Sequence, residues 1–161
     1  MPIIVSDANI FIDVEVGRLT RVMFQLPEEF AVPNILYEEE LSGHHPELPT
    51  YGLRILEIRE EFVREAVRLG GIYTKPGHND LLALALAQQE NCPLLTGDGN
   101  LRSAAETEAV IVRGTLWLVE QLLDNKLISY NEAKDAYARM RAEDRRLPWD
   151  EVENQLAKYK K

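Results

Sequence analysis

The segment IIVSDANIFID, residues 3–13, decides the fold because it joins a strand to a helix. Its first four residues are rich in β-branched side chains and predict a buried strand that ends at Asp7. Helical composition follows over residues 10–19, and Gly17-Arg18 marks the end of that helix or a break in it. A buried strand that leads into a helix is the unit from which parallel α/β sheets are built.

The same alternation of strands and helices continues along most of the chain. Further strands are predicted at residues 30–32, 93–96 and 109–112, with a strand or short helix at 53–58. Helices are predicted after Pro33-Asn34 and at residues 59–69, 80–90, 101–107 and 114–123. Gly70-Gly71 should end the second of these helices, and Asn79 should cap the third. The pattern predicts a three-layer α/β/α fold around a central parallel sheet.

The last quarter of the chain differs in that it predicts helices and no strands. An amphipathic helix begins after Ser129, which is predicted to form a capping box with Glu132, and a final helix starts at Pro148. We therefore predict an α/β domain over residues 1–125 and a helical C-terminal extension over residues 126–161 that packs on it. The extension can also serve in a dimer or receive a segment of a partner protein, and the sequence does not choose between these roles.

The composition limits the class of protein. The chain has 161 residues, 45% of them apolar, and a net charge of −9. That charge argues against a passive nucleic-acid binder, which needs a positive surface, but not against an enzyme that gathers carboxylates around a cation. Cys92 is the single cysteine, so no disulfide forms within the chain and a cytoplasmic location is expected. Neither a signal peptide nor a membrane-spanning segment is expected.

Four carboxylates are placed where an α/β sheet builds its sites. Asp7 follows the first strand directly, and Asp98 follows the strand at residues 93–96 with one glycine between them. Glu39 and Asp80 lie in the early turns of helices, which also face the carboxyl edge of the sheet. Hard divalent cations such as Mg²⁺ prefer oxygen ligands, and a cation removes the repulsion between gathered acids. The sequence thus predicts a metal site at this edge.

Ordinary structural explanations compete with this interpretation. Asp7 and Asp80 can each cap a helix, and Asp98 can be a turn residue. Asp13 lies further along the first predicted helix, and we expect it to be exposed, with a place directly behind the site as the alternative. Only the occurrence of four acids in order favours the site over these explanations.

A few other side chains invite a functional interpretation. His44 and His45 are assigned to a loop rather than to a metal site, because no further His or Cys stands at ligand spacing. Arg102 and Lys75 are candidate contacts to phosphate. Trp117 stands in an apolar segment and is predicted to be core rather than a platform for a nucleic-acid base.

Four segments resemble, in order and separation, the PIN-domain family of small ribonucleases, which includes the VapC-type toxins of bacterial toxin–antitoxin pairs. The segments are SDANIFID (6–13), VPNILYEEEL (32–41), HNDLLALALA (78–87) and LLTGDGNLR (94–102). Each motif is weak alone, whereas the four together are fairly specific. The resemblance implies a PIN-like fold and a divalent-metal-dependent endoribonuclease that uses Mg²⁺ or Mn²⁺. The implied partners are an RNA substrate, a protein antitoxin if the protein is a toxin, and a second copy of the chain.

The resemblance also assigns roles to individual residues. The implied catalytic and metal-binding residues are Asp7, Glu39, Asp80 and Asp98, and the supporting residues are Asn9, Thr96, Asn100 and Glu40. Asn100 stands where the family often has an acid. Glu40 competes with Glu39 because the family's glutamate usually precedes a leucine, whereas counting from Pro33 favours Glu39.

Two other functions stay open at this stage. One is a phosphatase or phosphotransferase with Asp7 as the nucleophile, although such enzymes commonly have a second Asp where this chain has Asn9. The other is a PIN-fold binding module whose site is catalytically weak.

Overall fold

The computed structural model describes residues 2–160, which contain five strands and ten α-helices. The strands are β1 (Ile3–Ser6), β2 (Glu29–Pro33), β3 (Arg54–Leu56), β4 (Leu94–Leu95) and β5 (Val112–Arg113). The helices are α1 (Ala8–Val16), α2 (Thr20–Met23), α3 (Asn34–Leu36), α4 (Leu48–Tyr51), α5 (Glu60–Ile72), α6 (His78–Glu90), α7 (Gly99–Thr107), α8 (Thr115–Asp124), α9 (Tyr130–Ala142) and α10 (Trp149–Tyr159). A π-helical turn, Tyr37–Leu41, continues α3.

All five strands are parallel and lie in the order β3-β2-β1-β4-β5. Val5 of β1 pairs with Ala31 on one side and with Leu94 on the other. The direction in which the chain adds strands reverses between β1 and β4, and open parallel sheets bind ligands at the carboxyl ends of the strands on either side of such a point. The predicted α/β/α fold with a central parallel sheet is confirmed.

Helix α6 lies at the centre of the molecule. Residues 81–87 are all buried, because leucines and alanines surround this part of the helix on every side. Two predicted boundaries near it are wrong. Gly77 rather than Asn79 is the N-cap, so Asn79 belongs to the first turn of α6. Helix α5 also continues through Gly70-Gly71 to Ile72 before it ends, since its packing against α6 outweighs the weak helix propensity of glycine.

The C-terminal helices pack against the rest of the chain. Ser129 and Glu132 form the predicted capping box at the start of α9. A Cβ atom on Gly17 would lie 2.7 Å from the methyl carbon of Met140, so α9 sits directly on the end of α1. The boundary between a domain at 1–125 and an extension at 126–161 stays a prediction. None of the helices within residues 2–160 is long and apolar enough to cross a lipid bilayer.

Candidate active site

Asp7 links the two strands at the switch point of the sheet. Its side chain is fully buried, and it caps α1 by accepting a 3.2 Å hydrogen bond from the backbone N–H of Ile10. The hydroxyl of Thr96, which follows β4, donates to the other oxygen of Asp7. The backbone N–H of Asp98 in turn donates to the Thr96 hydroxyl oxygen over 3.0 Å. The predicted capping role of Asp7 and its place at the site are therefore compatible.

Burial and neighbouring acids raise the pKa values of two of the predicted acids, Asp7 and Asp80. Burial raises the pKa of Asp7 from 3.8 to about 7, against the lowering effect of its hydrogen bonds, and the charges of Asp80 and Asp13 raise it further. Burial also raises the pKa of Asp80, with a further contribution from the charge of Asp98. Asp80 thus interacts with both strand-end acids, and the cluster carries a repulsion that a bound cation would relieve.

Glu39 reaches the same region from the π-helical turn. Its carboxylate accepts a 3.1 Å hydrogen bond from the side-chain amide of Asn79, the residue before Asp80. The amide oxygen of Asn79 is buried, and within residues 2–160 it has no hydrogen-bond partner. Asp80 itself accepts a 3.0 Å bond from the backbone N–H of Gly77. Glu39 and Glu40 are both exposed, and only the contact of Glu39 with α6 favours it over Glu40 as the site glutamate.

Asp13 is buried, and the expectation that it is exposed is wrong. Only 5% of the residue is accessible to solvent. Its two carboxylate oxygens accept hydrogen bonds of 2.6 Å from Arg145 and 3.0 Å from the hydroxyl of Thr115. Arg145 lies in the loop between α9 and α10, more than a hundred residues away in sequence, so no local pattern signals this ion pair.

An open cavity of about 530 Å³ lies over this edge of the sheet. The polar side chains that line it include Asn9, Asp13, Asp98, Asn100, Asp144, Arg145 and Arg146. Asn9 and Asn100, two of the four supporting residues predicted from the sequence, line the cavity, whereas Thr96 is buried and Glu40 is exposed outside its lining. Because the loop between α9 and α10 forms one wall, the C-terminal helices help to shape the site.

A tighter group of possible metal ligands occurs elsewhere. In the part of the chain that the structure describes, only Glu15, His45 and Glu47 bring three such atoms within 4.8 Å of one another. The Nδ1 atom of His45 lies 2.5 Å from a carboxylate oxygen of Glu15, and His45 is buried. No local sequence pattern signals this group, because thirty residues separate Glu15 from His45.

The donor set at the carboxyl edge of the sheet suits a hard cation. All four predicted acids offer oxygen atoms, and the amide oxygen of Asn79 is a further unpaired acceptor beside Glu39. Their spacing is looser than that of a cage made only of protein ligands. Mg²⁺ keeps several of its waters and takes one or two carboxylates, so this looser arrangement fits it.

The sequence matches the DUF3368 family, described as a PIN domain, over residues 3–161. Among solved structures, a chain of VapBC2 from Rickettsia felis, bound to a DNA fragment from its promoter, is similar with a TM-score of 0.49 and 15% sequence identity. That match covers 70% of this chain and 98% of the other. No curated protein matches the sequence.

Open parallel sheets bind ligands at the switch point, and in this chain Asp7 and Asp98 follow the two strands on either side of it. The family match extends over nearly the whole chain, and the chain therefore belongs to the PIN-domain family. PIN domains are generally nucleases, so the resemblance found from the four sequence motifs is confirmed at the level of the family.

Proposed function

We propose that this PIN domain is a divalent-cation-dependent endoribonuclease whose site is formed by Asp7, Glu39, Asp80 and Asp98. The observation that supports this most directly is that Thr96 joins two of these acids, since its hydroxyl donates to Asp7 and accepts from the backbone N–H of Asp98. Burial is the main cause of the raised pKa values of Asp7 and Asp80, and the smaller contributions from the charges of Asp80 and Asp98 are consistent with Asp80 lying near both strand-end acids. Membership of the PIN-domain family supports the cleavage of a phosphodiester.

The four acids would bind the cation, and their neighbours would position them. Asp7, Asp80 and Asp98 would hold Mg²⁺ or Mn²⁺ together with Glu39, which Asn79 orients. The bound cation supplies Lewis-acid stabilisation of the charge that develops on the attacked phosphate. Thr96 keeps the carboxylate of Asp7 in place, and Asp98 orients the Thr96 hydroxyl through its backbone N–H. A nucleophilic role for Asp7 is not favoured, because its two oxygens accept hydrogen bonds from Ile10 and Thr96, which makes a carboxylate a weaker nucleophile.

The test is cleavage of single-stranded RNA by the purified protein in Mg²⁺ or Mn²⁺. Asp80→Asn should lower the rate by at least about 1,000-fold, because it removes a charge that the cation needs but keeps an acceptor for the N–H of Gly77. Asp135→Asn is the matched control, since Asp135 is exposed on α9. EDTA should abolish cleavage, and an excess of Mg²⁺ should restore it.

Cleavage that survives both EDTA and Asp80→Asn would rule out the proposal. If the protein binds Mg²⁺ in calorimetry but cleaves no RNA, the chain is instead a binding module of PIN fold. The toxin role, the antitoxin partner and the homodimer stay predictions that depend on the sequence resemblance.

Thr96 offers a second, more graded prediction. Thr96→Val keeps the shape of the side chain but removes the hydroxyl that donates to Asp7 and accepts from Asp98. A hydrogen bond to a charged group contributes roughly 1.5–3 kcal/mol, so we expect cleavage to slow by about 10- to 100-fold. The hydrogen bond from Thr96 lowers the pKa of Asp7, so its loss should also move the acidic limb of the pH–rate profile to higher pH. Thr96→Ser should keep both the rate and the profile; an unchanged profile in Thr96→Val would contradict the role of the hydroxyl.

A further inference from the structure

A second groove adjoins the cavity over the carboxylates. It has a volume of about 310 Å³ and shares Gly97 and Arg146 with that cavity. Its cationic side chains are Arg102, Arg113 and Arg146, and Trp117 lines it as well. We call these four residues and the space between them the arginine groove. Because the two spaces share these residues, a chain molecule that lies in the groove can extend into the cavity that Asp98 and Asp13 line.

The three arginines come from three separate elements. Arg102 lies one turn after Asp98 in α7, Arg113 is the last residue of β5, and Arg146 lies in the loop between α9 and α10. Other arginines of this acidic chain, such as Arg64 and Arg68, pair with glutamates. Within residues 2–160, by contrast, none of the three groove arginines has an acidic oxygen within 4.0 Å, although Glu151 also lines the groove. Their charges are therefore available to an anionic ligand.

Gly114 allows one of these arginines to lie close to the backbone. A Cβ atom at this position would be 3.1 Å from a terminal nitrogen of Arg102 and 3.6 Å from the carbonyl oxygen of Thr96. Any side chain at Gly114 would therefore press on the guanidinium group. The absence of a side chain at Gly114 therefore leaves room for the guanidinium group of Arg102 in the groove.

Trp117 has one part in the core and another in the groove. It is partly buried and packs against the hydrophobic core, as the sequence predicts, but it also lines the arginine groove. An aromatic ring beside a series of arginines is the combination that proteins use to hold single-stranded nucleic acid, because the ring stacks on a base while the guanidinium groups contact phosphates.

We propose that the arginine groove binds the RNA strand next to the phosphate that is cleaved, with its phosphates on the three arginines and a base on Trp117. The proposal rests on the ribonuclease function for its substrate. An acidic peptide is less favoured as the occupant, because the groove opens onto Asp98 and Asp13, which repel carboxylates. A polynucleotide can pass these acids together with the cation that neutralises them.

The test is the affinity for a short fluorescent single-stranded RNA, measured by anisotropy in Mg²⁺ on the Asp80→Asn background so that the probe is not cut. Arg102→Gln with Arg146→Gln should weaken binding by at least about 10-fold. It should also reduce the slope of log K against log salt by ~1.4, since each lost phosphate contact accounts for ~0.7. Both arginines are exposed, so the fold should persist, which a melting curve verifies. Arg59→Gln with Arg64→Gln removes the same charge from the N-cap and first turns of α5 and should leave binding unchanged.

Two further variants test the roles of Trp117 and Gly114 in the groove. Trp117→Leu should weaken RNA binding without changing the salt slope, because stacking releases no counterions. Gly114→Ala should weaken binding much less than the loss of Arg102, because a Cβ atom there would move the flexible end of that side chain by only a few tenths of an ångström. The proposal is overturned if the groove variant and the control variant have the same affinity for RNA and the same salt slope. It is also overturned if the groove variant binds RNA normally and loses only the binding of a polyglutamate peptide. If the wild type cleaves RNA while the groove variant binds RNA normally, the groove proposal alone fails. If RNA binds through the groove but is never cut, the ribonuclease proposal alone fails.

Discussion

Without divalent cations at pH 8, Asp7→Asn should unfold at a higher temperature than the wild-type protein, although it should have lost RNA cleavage. Burial raises the pKa of Asp7 to about 7, so at pH 8 the folded wild type must keep an ionised carboxylate in a site that disfavours the charge. Asn has the same shape, carries no charge, and can still accept from Ile10 and pair with Thr96. The substitution therefore removes an electrostatic penalty from the folded state.

The sign and the pH window follow from proton linkage. The folded-state pKa of about 7 lies above the ordinary value of 3.8, so the folded protein binds more protons than the unfolded chain between these values. The free energy of unfolding therefore decreases as pH rises through this window, and the full penalty is present above pH 7. The difference between the two pKa values of Asp7 corresponds to a loss of roughly 4 kcal/mol in the free energy of unfolding as an upper limit. Near pH 4 the carboxyl is protonated when folded, and most of the penalty is absent.

Thermal unfolding in EDTA at pH 5 and pH 8 measures this effect. The advantage of Asp7→Asn over the wild type should be larger at pH 8, and Asp135→Asn should show no such pH dependence. Added Mg²⁺ should stabilise the wild type and not Asp7→Asn, because ligand binding to the folded state raises its stability. A variant that is less stable than the wild type at both pH values would show that Asp7 is primarily a structural residue.

Arg145→Met should destabilise the protein by about 3–5 kcal/mol, because it leaves the carboxylate of Asp13 buried without its cationic partner. The side chain of Asp13 is only 7% exposed, and water from the cavity that both residues line can replace only part of the lost interaction. Thr115 alone would remain as a hydrogen-bond donor to Asp13. Urea unfolding monitored by circular dichroism gives the change in the free energy of unfolding.

A double variant separates the loss of charge pairing from the loss of packing. Asp13→Asn with Arg145→Met removes the unpaired charge and should be more stable than Arg145→Met alone, since the cost comes mainly from the buried carboxylate. If the effects of the two substitutions simply add, the ion pair does not hold the loop between α9 and α10. Arg141→Met provides a control on the same helix end, because Arg141 is exposed and packs over Trp149.

Much of the fold was predictable because its signals are local. Short apolar runs that end at Asp7 and near Asp98 mark β1 and β4, and the leucines and alanines of residues 81–87 mark a deeply buried helix. The boundaries failed where packing outweighed propensity, as at Gly70-Gly71, through which α5 continues. The acids after the strands were also recognisable, because the carboxyl ends of parallel strands meet at one edge of a sheet.

The sequence by itself determined the parallel α/β architecture, the family, and the acids that come directly after strands. Only the tertiary structure decided which side chains complete the site. The π-helical turn directs Glu39 toward Asn79. Arg145, near the C-terminal end of the chain, pairs with Asp13 in the first helix. Residues of α7, β5 and the loop between α9 and α10 together form the arginine groove. These contacts join segments that are remote in sequence, and their geometry depends on how helices pack on the sheet rather than on any local pattern.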